Sequence, residues 1–296
     1  MKAIIFGING QDGYYLEEVC HSHGYEVIGV SRRKCKWIQG DIKDRQFVNN
    51  LIQKHKPQLL FHLAARSTTK HDALFENHET ISTGTLNVLE AVKLYSPYTR
   101  VFITGSGVQF VNNGLPIDEH DAFEASSPYS VSRIQSVYAA RYYRRLGLKT
   151  YVGYLFHHES PLRKGGHMSR FIIDGLADIL AGKREVLEIG DSTVSKEWGF
   201  AGDIAHGIFT LIRQDSVSEA VIGTGNAHTI RDWVEICFSL CGLDYNKYLK
   251  ELKGDFKAEY PLLVSKPTTM LSLGWIPKSN IKDLAKMMLE QSGIKT

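Results

Sequence analysis

Residues 2–13 read KAIIFGINGQDG. The apolar run at 2–6 predicts a buried strand, and Gly7, Gly10 and Gly13 follow it at intervals of three residues. Glycines at this spacing, just ahead of a helix, let the backbone turn tightly and approach a pyrophosphate at the helix N-terminus. The stretch therefore predicts the first strand-to-helix turn of a dinucleotide-binding sheet, with a purely structural turn as the alternative.

Strands and helices continue to alternate outward from this turn. The predicted elements are helix 13–23, strand 25–30, helix 45–54, strand 58–63, helix 79–95, strand 100–104, helix 128–146 and strand 150–156, then helices near 169–182, 202–213, 229–241 and 280–291 with short strands such as 188–189 and 220–222. This alternation favours an α/β fold, a Rossmann-type doubly wound parallel sheet with a smaller C-terminal substrate-binding lobe. We place the domains at 1–157 and 158–296, with an approximate boundary because later segments can return to the sheet.

Composition excludes several classes of protein. Of the 296 residues, 43% are hydrophobic and 23% charged, as in globular domains. The net charge of +3, spread along the chain, argues against nucleic-acid binding. Apolar runs such as 58–65 are shorter than the roughly 18 residues of a membrane-spanning helix, and the N-terminal run is too short for a secretory signal, so we expect a cytoplasmic protein without membrane contact. The four cysteines form no CxxC pair and predict no metal site.

Two arginines follow the second predicted strand. An enzyme that prefers NAD usually carries an acid there for the ribose 2′-hydroxyl, whereas Arg32 and Arg33 suit a 2′-phosphate. This favours NADP(H), although a solvated basic turn that includes Lys34 and Lys36 is the alternative. Asp41 accepts a hydrogen bond from an adenine amine in one interpretation and caps a helix in the other.

A tyrosine and a cation stand together at the start of a predicted helix. Tyr129 and Arg133 are four residues apart and share one helix face. A tyrosine beside a fixed cation loses its proton more easily and can act as general acid or base toward a carbonyl or carbinol. Ser106, after the strand that ends at Thr104, is a second donor to the same oxygen. A surface or packing pair is the alternative.

Separated blocks of the chain match a known family. The general ones are 62–65 (HLAA), 84–91 (GTLNVLEA), 127–129 (SPY) and 273–275 (LGW). The more specific ones are 7–16 (GINGQDGYYL), 31–33 (SRR), 155–161 (LFHHESP) and 196–203 (KEWGFAGD). On these blocks the chain resembles the extended short-chain dehydrogenase/reductases that act on nucleotide sugars, and within them the GDP-mannose 4,6-dehydratase branch.

The resemblance implies NADP(H) on the N-terminal domain, a nucleotide-diphosphate sugar, expected to be GDP-linked, in the cleft, and Tyr129 as the acid/base with Arg133 and Ser106 beside it. The predicted cofactor-binding residues are Gly7, Asn9, Gly10, Gln11, Asp12, Gly13, Arg32, Arg33, Asp41, Ile42, Leu63, Ala64, Ala65, Ser67, Tyr129, Arg133, Leu155, His158 and Arg163. The predicted substrate-binding residues are His157, Met168, Arg170, Lys196, Arg231 and Glu259. Structural alternatives are strand core for Leu155, a capped loop for His158 and solvated charges for Arg163 and Lys196.

The departures from the family are informative. A dehydratase needs a glutamate in a Thr-x-Glu segment after the fourth strand, and this chain reads Gly-Ser-Gly-Val-Gln at 105–109. Arg133 stands where the family has lysine, and its planar guanidinium is not equivalent to an ammonium. His157 replaces a substrate-facing asparagine, and Phe171 lies near the position of a lysine that faces the guanine.

These departures favour reduction over elimination. Hydride transfer to a sugar carbonyl needs only the cofactor, Tyr129 and Ser106, so the leading hypothesis is an NADPH-dependent reductase of a 4-keto (6-deoxy) nucleotide sugar. The alternatives are a 4,6-dehydratase-like or epimerase activity with another acid, and a catalytically weak nucleotide-binding protein. Apolar residues at 137–143 on the Tyr129 helix make a homodimer plausible.

Overall fold

The computed structural model describes residues 1–252 and 260–296. Its α-helices are α1 (Gln11–Ser22), α2 (Arg45–His55), α3 (Leu74–Asn77), α4 (Gly84–Tyr95), α5 (Pro128–Arg145), α6 (Met168–Leu180), α7 (Ala201–Ile212), α8 (Ile230–Leu240), α9 (Thr268–Ser272) and α10 (Ile281–Gln291). Its strands are β1 (Lys2–Phe6), β2 (Glu26–Ser31), β3 (Ile38–Gln39), β4 (Leu59–His62), β5 (Arg100–Ser106), β6 (Thr150–Leu155), β7 (His158–Glu159), β8 (Leu187–Ile189), β9 (Ser195–Glu197), β10 (Gly199–Phe200), β11 (Glu219–Ile222), β12 (Ala227–Thr229), β13 (Leu249–Glu251) and β14 (Leu262–Leu263).

The main sheet is parallel throughout. Its seven strands, counted over the two described ranges, lie in the order β11-β6-β5-β4-β1-β2-β3. Ile4 in β1 pairs with Ile28 in β2 on one side and with Leu60 in β4 on the other. The chain therefore winds outward in both directions from β1, and the strand order reverses between β1 and β4. Ligands of open α/β sheets bind at such a reversal, beyond the carboxyl ends of the strands.

Helices cover both faces of the sheet. α2, α4 and α5 pack on one face and α1 and α7 on the other. Buried aliphatic and aromatic side chains fill both interfaces, for example Ile4, Leu60 and Val152 on the first face and Ile5, Phe61 and Phe102 on the second. Alternate residues of one strand thus point to opposite apolar layers, as expected for a strand that is buried on both sides. The predicted doubly wound α/β fold is confirmed.

Two elements from the second half of the sequence belong to this sheet layer. β11 pairs with β6, and α7 packs against α1. Glu219 fixes β11, because its carboxylate accepts from Arg141 Nη2 at 2.7 Å, Arg144 Nη1 at 2.8 Å and the Tyr154 hydroxyl at 2.7 Å. The domain boundary at residue 157 stays a prediction. β11, which follows this boundary in the sequence, completes the sheet of the first domain.

The smaller lobe has its own core. Short strands pair as β12-β9-β14, β13-β8 and β10-β7, and α6, α8 and α10 cover them. Trp198 and Trp233 stack there with ring centroids 4.6 Å apart and planes 3° from parallel. The β10–β7 pairing places segment 158–159 beside 199–200, so this lobe extends directly from the end of β6.

Several element boundaries differ from expectation. α1 begins at Gln11 instead of residue 13, because Gly10 has extended backbone angles and serves as its N-cap. β5 runs on to Ser106 instead of ending at Thr104. The first part of the helix expected over 79–95 is a π-helical segment, His78–Thr83, that passes directly into α4. Across the ranges the structure describes, every helix is too short or too polar to cross a membrane.

Candidate active site

A cleft of about 800 Å³ opens at the carboxyl ends of the sheet strands. The loops after β1, β2, β4 and β5 form one side of it, and the segment after β6 forms the other. We call the first side the cofactor half and the segment 157–167 the substrate half. The cleft lies at the reversal of strand order between β1 and β4, as the fold requires.

Glycines shape the floor of the cofactor half. Gly7 has φ +90°, and a Cβ built on it would lie 2.8 Å from the Ala64 nitrogen. A Cβ on Gly13 would lie 2.6 Å from the Gly7 oxygen and 2.7 Å from Ile8 Cα. Both positions therefore require glycine, and the backbone stays open at the N-terminus of α1. Gly10, the N-cap of α1, has no side chain to accept a hydrogen bond from the first N–H groups of the helix, and residues 10–13 line the cleft. This cradle fits the pyrophosphate of a dinucleotide.

The two arginines after β2 differ in whether they form an ion pair. Arg32 Nη1 lies 3.2 Å from Glu76 Oε1, whereas no ion pair of Arg33 is formed with residues 1–252 or 260–296. Both line the cleft. Asp41 also lines it, and its Oδ1 accepts from the Lys43 N–H at 3.0 Å. The N-cap of the following helix is Asp44, so the helix-cap alternative for Asp41 is wrong and Asp41 instead forms a turn at the cleft wall.

Tyr129 and Arg133 are brought together as predicted, and they are not a surface pair. Ser127 caps α5 and Pro128 occupies its first turn, which fixes the backbone around Tyr129. Arg133 is 2% exposed, its Nη1 donates to the Thr104 oxygen at 2.7 Å, and its guanidinium carbon lies 4.9 Å from the centre of the Tyr129 ring. The cation is therefore held beside the phenol ring by the end of β5.

His62 is a neighbour of this pair to which sequence analysis gave no role. It ends β4, is 1% exposed, and neither ring nitrogen has a hydrogen-bond partner of good geometry within residues 1–252 and 260–296. Burial, with Arg133 nearby, lowers the pKa of His62 to about 3, so the imidazole is neutral at physiological pH. The HLAA block gave a signal for the position, but the contact with Arg133 needs the fold.

The turn after β5 carries no acid. Ser106 lines the cleft, Val108 follows two residues later on the same wall, and Gln109 Oε1 accepts from the Ser106 N–H at 2.8 Å. The carboxylates lining the cleft, among residues 1–252 and 260–296, are Asp12 and Asp41. Asp41 stands at the end of β3 and Asp12 is paired, so neither faces Ser106 as a free proton donor.

The two halves of the cleft are joined by polar contacts. Asp12 Oδ1 lies 2.9 Å from His158 Nε2, Ser160 Oγ donates to Gln11 Oε1 at 2.9 Å, and Gln11 Nε2 donates to the His158 oxygen at 3.4 Å. Burial alone would raise the pKa of Asp12, but His158 and Arg163 outweigh it and lower the pKa. Burial alone would lower the pKa of His158, and Asp12 raises it instead. The glycine loop is thereby fixed to the segment after β6.

Polar and charged side chains of the substrate half contact one another and the neighbouring strand β9. Burial lowers the pKa of His157 to about 4, so its imidazole is neutral at physiological pH. His157 Nδ1 donates to the Glu197 oxygen at 2.6 Å, and its Nε2 lies 3.0 Å from Glu159 Oε1. Glu159 is 1% exposed and also pairs with Arg163. Lys196 Nζ lies 4.8 Å from the ring centre of Trp198. Burial lowers the pKa of Lys196 to about 8, against the opposing effect of Glu159.

The predicted site residues separate into two groups. All predicted cofactor-binding residues, together with Ser106 and His157, line the cleft. Met168, Arg170, Lys196 and Arg231 are absent from its lining among the described residues, and Glu259 lies outside those residues. Arg170 pairs with Asp174, and Arg231 pairs with Glu251. The substrate roles of these residues stay predictions.

Some lining residues were not predicted. Val108, Lys164, His167, Tyr260 and Leu263 also line the cleft. The sequence could have indicated Val108 as a cleft residue, because it lies two positions after Ser106 in the turn that lacks the glutamate. The others come from irregular segments or distant parts of the chain, and only the folded structure brings them to the cleft.

The fold and the site define the class of the protein: it is an enzyme of the extended short-chain dehydrogenase/reductase class, as the sequence predicted. A family model described as GDP-mannose 4,6 dehydratase matches residues 4–288, and the chain belongs to this family.

Curated relatives cover nearly the whole chain. GDP-mannose 4,6 dehydratase 1 of Arabidopsis thaliana is 28% identical over 98% of this chain and 89% of its own length. GDP-mannose 4,6-dehydratase of Vibrio cholerae is 28% identical over 98% and 93%. Among solved structures, RMD from Pseudomonas aeruginosa complexed with NADPH superimposes with a TM-score of 0.85 at 19% identity, over 98% of this chain and 96% of that one. The dTDP-glucose 4,6-dehydratase of Bacillus anthracis, in complex with NAD, gives 0.84 at 18% identity, over 99% and 96%. At these identities the solved structures support the fold.

Proposed function

We propose that this chain is an NADPH-dependent reductase of a 4-keto (6-deoxy) nucleotide-diphosphate sugar, with GDP as the expected nucleotide. The observation that carries the proposal is the turn after β5, where Val108 lines the cleft and no carboxylate accompanies Ser106 and Tyr129 among the described residues. Elimination of water needs an acid for the leaving hydroxyl. Reduction of a carbonyl does not, because the cofactor brings the hydride.

The residues around Tyr129 can supply the proton. NADPH, when bound, provides the hydride for the carbonyl carbon and becomes NADP⁺. The Tyr129 hydroxyl donates its proton to the carbonyl oxygen, and the resulting phenolate is reprotonated from solvent. The Arg133 guanidinium carbon lies 4.9 Å from the centre of the Tyr129 ring, so a positive charge stands beside the phenol that gives up the proton. Ser106 stands on the same wall as a second donor to the oxygen.

NADP(H) is favoured over NAD(H) by the end of β2. Arg32 and Arg33 line the cleft there, and guanidinium groups bind phosphate through paired, charge-assisted hydrogen bonds. The glycine cradle accepts the pyrophosphate part of either cofactor. Of the two solved relatives above, one carries NADPH and the other NAD, so the arginines are the discriminating feature of this chain.

The substrate half suits a diphosphate. Arg163 and Lys164 line it with positive charges, and the half-buried Lys196 adds another close to Arg163. His157 and His167 also line it as neutral hydrogen-bonding groups, because burial lowers the pKa of both. A nucleotide diphosphate brings two or more negative charges to this cluster. The GDP linkage is proposed from the family, whose printed activity concerns GDP-mannose.

The test is a pair of incubations. The purified protein with NADPH and GDP-4-keto-6-deoxymannose should consume NADPH and yield a product heavier by about two mass units, the hydride and the proton. The protein with GDP-mannose and NADP should release no water. Loss of water from GDP-mannose in the second tube would contradict the proposal and indicate a dehydratase. No reaction in either tube would favour a catalytically weak nucleotide-binding protein.

We also propose a homodimer through α4 and α5. Leu86, Leu94, Tyr138 and Tyr142 on these helices are about half exposed, which is unusual for large apolar side chains on neighbouring helices. Light scattering after gel filtration should give twice the chain mass of 33.3 kDa. Tyr138→Glu should return it to one chain mass, and a wild-type monomer would refute the dimer.

A further inference from the structure

A carboxylate from a distant segment stands beside the proposed 2′-phosphate site. Glu76, in α3, places Oε1 3.2 Å from Arg32 Nη1 and Oε2 3.0 Å from Arg66 Nη1. We propose that Glu76 is a specificity-determining residue: it competes with the 2′-phosphate for Arg32 and so weakens the preference for NADP(H) over NAD(H). The inference rests on the proposed cofactor site and concerns a residue to which sequence analysis gave no role.

The two arginines differ in their ion pairs: Arg32 is paired with Glu76, and Arg33 is unpaired within the described residues. Arg33 forms no ion pair with another described residue, so its guanidinium is available to a phosphate. Arg32 has to leave Glu76 before it can bind one. Both partners of that pair are partly exposed, with 54% of the Arg32 side chain and 33% of the Glu76 side chain accessible. An exposed pair is weak, so a phosphate can displace it, but the displacement reduces the net gain.

Arg66 keeps the carboxylate in place. It lies directly after Ala65 at the cleft and holds Glu76 from the side opposite to Arg32. Burial alone would raise the pKa of Glu76, and the two arginines lower it instead, so the group is ionised at neutral pH. A carboxylate that stays near Arg32 repels a 2′-phosphate. Glu76 is absent from the cleft lining among the described residues, so its effect on a 2′-phosphate is exerted through Arg32.

The chain offers a matched control. Glu79, one helical turn further along, pairs with Lys43 at 2.9 Å instead of with an arginine of the β2 end. Glu79→Gln removes the same charge from the same region without freeing Arg32. It therefore separates the direct contact from the general loss of a negative charge.

The experiment measures binding and needs no turnover. Calorimetric titrations with adenosine 2′,5′-bisphosphate and with 5′-AMP isolate the contribution of the 2′-phosphate. Glu76→Gln should tighten the bisphosphate about threefold to fivefold and leave 5′-AMP unchanged or slightly weaker. Glu79→Gln should change the ratio of the two affinities by less than about twofold. Arg33→Ala should remove most of the preference for the bisphosphate.

Three results would overturn the inference: an unchanged affinity ratio in Glu76→Gln, an equal change in Glu79→Gln, or binding of neither nucleotide to the wild type. Thermal melting of each variant checks that it is folded. A changed ratio in a protein that reduces no keto sugar would remove the proposed reductase activity and leave the role of Glu76 intact.

Discussion

The two halves of the cleft are built by different means. In the cofactor half the shape comes from the backbone, since Gly7 and Gly13 permit approaches that no side chain would allow. In the substrate half the shape comes from side chains that pair with one another, such as Glu159 with Arg163 and His157 with the Glu197 oxygen. A backbone-built site is specified by residues adjacent in sequence. A site built by paired side chains depends on partners that the fold brings together.

The difference has a functional consequence. The cofactor half can change little at Gly7 and Gly13, because a Cβ at either position would lie too close to backbone atoms. The substrate half can exchange individual side chains, and the resemblance described above implies such an exchange at His157, where the family has asparagine. Substitutions in the two halves should therefore differ in what they alter, and the chemical centre between them should be the most sensitive point.

The largest effect is expected at that centre. Tyr129→Phe removes the proton donor and should reduce the turnover of a 4-keto sugar about 10²–10⁴-fold. NADPH affinity should stay within about twofold, because the phenol ring and its contact with Arg133 remain. The measurement is NADPH oxidation beside a fluorescence titration of the cofactor. Tyr142→Phe, on an exposed face of the same helix, is the matched control and should leave both values unchanged. Full turnover by Tyr129→Phe would exclude its role as acid.

The next effect tests the backbone-built half. Gly13→Ala places a Cβ within 2.7 Å of Ile8 atoms and the Gly7 oxygen, so the loop has to shift. We expect NADPH affinity to fall about 10–100-fold and the free energy of unfolding to fall by about 1–3 kcal/mol. Gly165→Ala is the control, because a Cβ there meets nothing within 4 Å and its φ is ordinary. Unchanged binding by Gly13→Ala would mean that the glycine loop does not hold the cofactor.

A smaller effect tests the side-chain-built half through pH. Burial lowers the pKa of Lys196 to about 8, so the amine loses its charge as the pH rises through that value. GDP affinity should therefore fall about threefold to tenfold between about pH 7 and pH 9. Lys196→Arg should flatten this dependence, because a guanidinium stays charged over the whole range. Equal pH profiles for the two proteins would place Lys196 outside the diphosphate site.

The sequence could predict the backbone-built half almost completely. The spacing of Gly7, Gly10 and Gly13, a local property, predicted the turn, and the alternation of strands and helices predicted the sheet. It could not predict that Glu76 meets Arg32, because 44 residues and the path of α3 separate them. The return of β11 to the sheet depends on Glu219 finding partners on α5 and β6, which is also a tertiary effect.

The smallest effect concerns the contact that joins the halves. The lowered pKa of Asp12 contributes stability that is present above its usual value of 3.8 and is lost as the pH falls through the lowered value. The raised pKa of His158 contributes stability that is present below 6.5 and is lost as the pH rises through the raised value. Both contributions are complete between about pH 4.5 and 6.

Asp12→Asn should therefore lower the melting temperature most near pH 5.5, where the loss of the pair corresponds to about 1 kcal/mol, and least near pH 8.5. Asp44→Asn, which retains an N-cap on a neighbouring loop, should show no such pH dependence. A pH-independent decrease for Asp12→Asn would mean that Asp12 stabilises the loop by packing alone and that the halves are joined chiefly through the hydrogen bonds of Gln11 with His158 and Ser160.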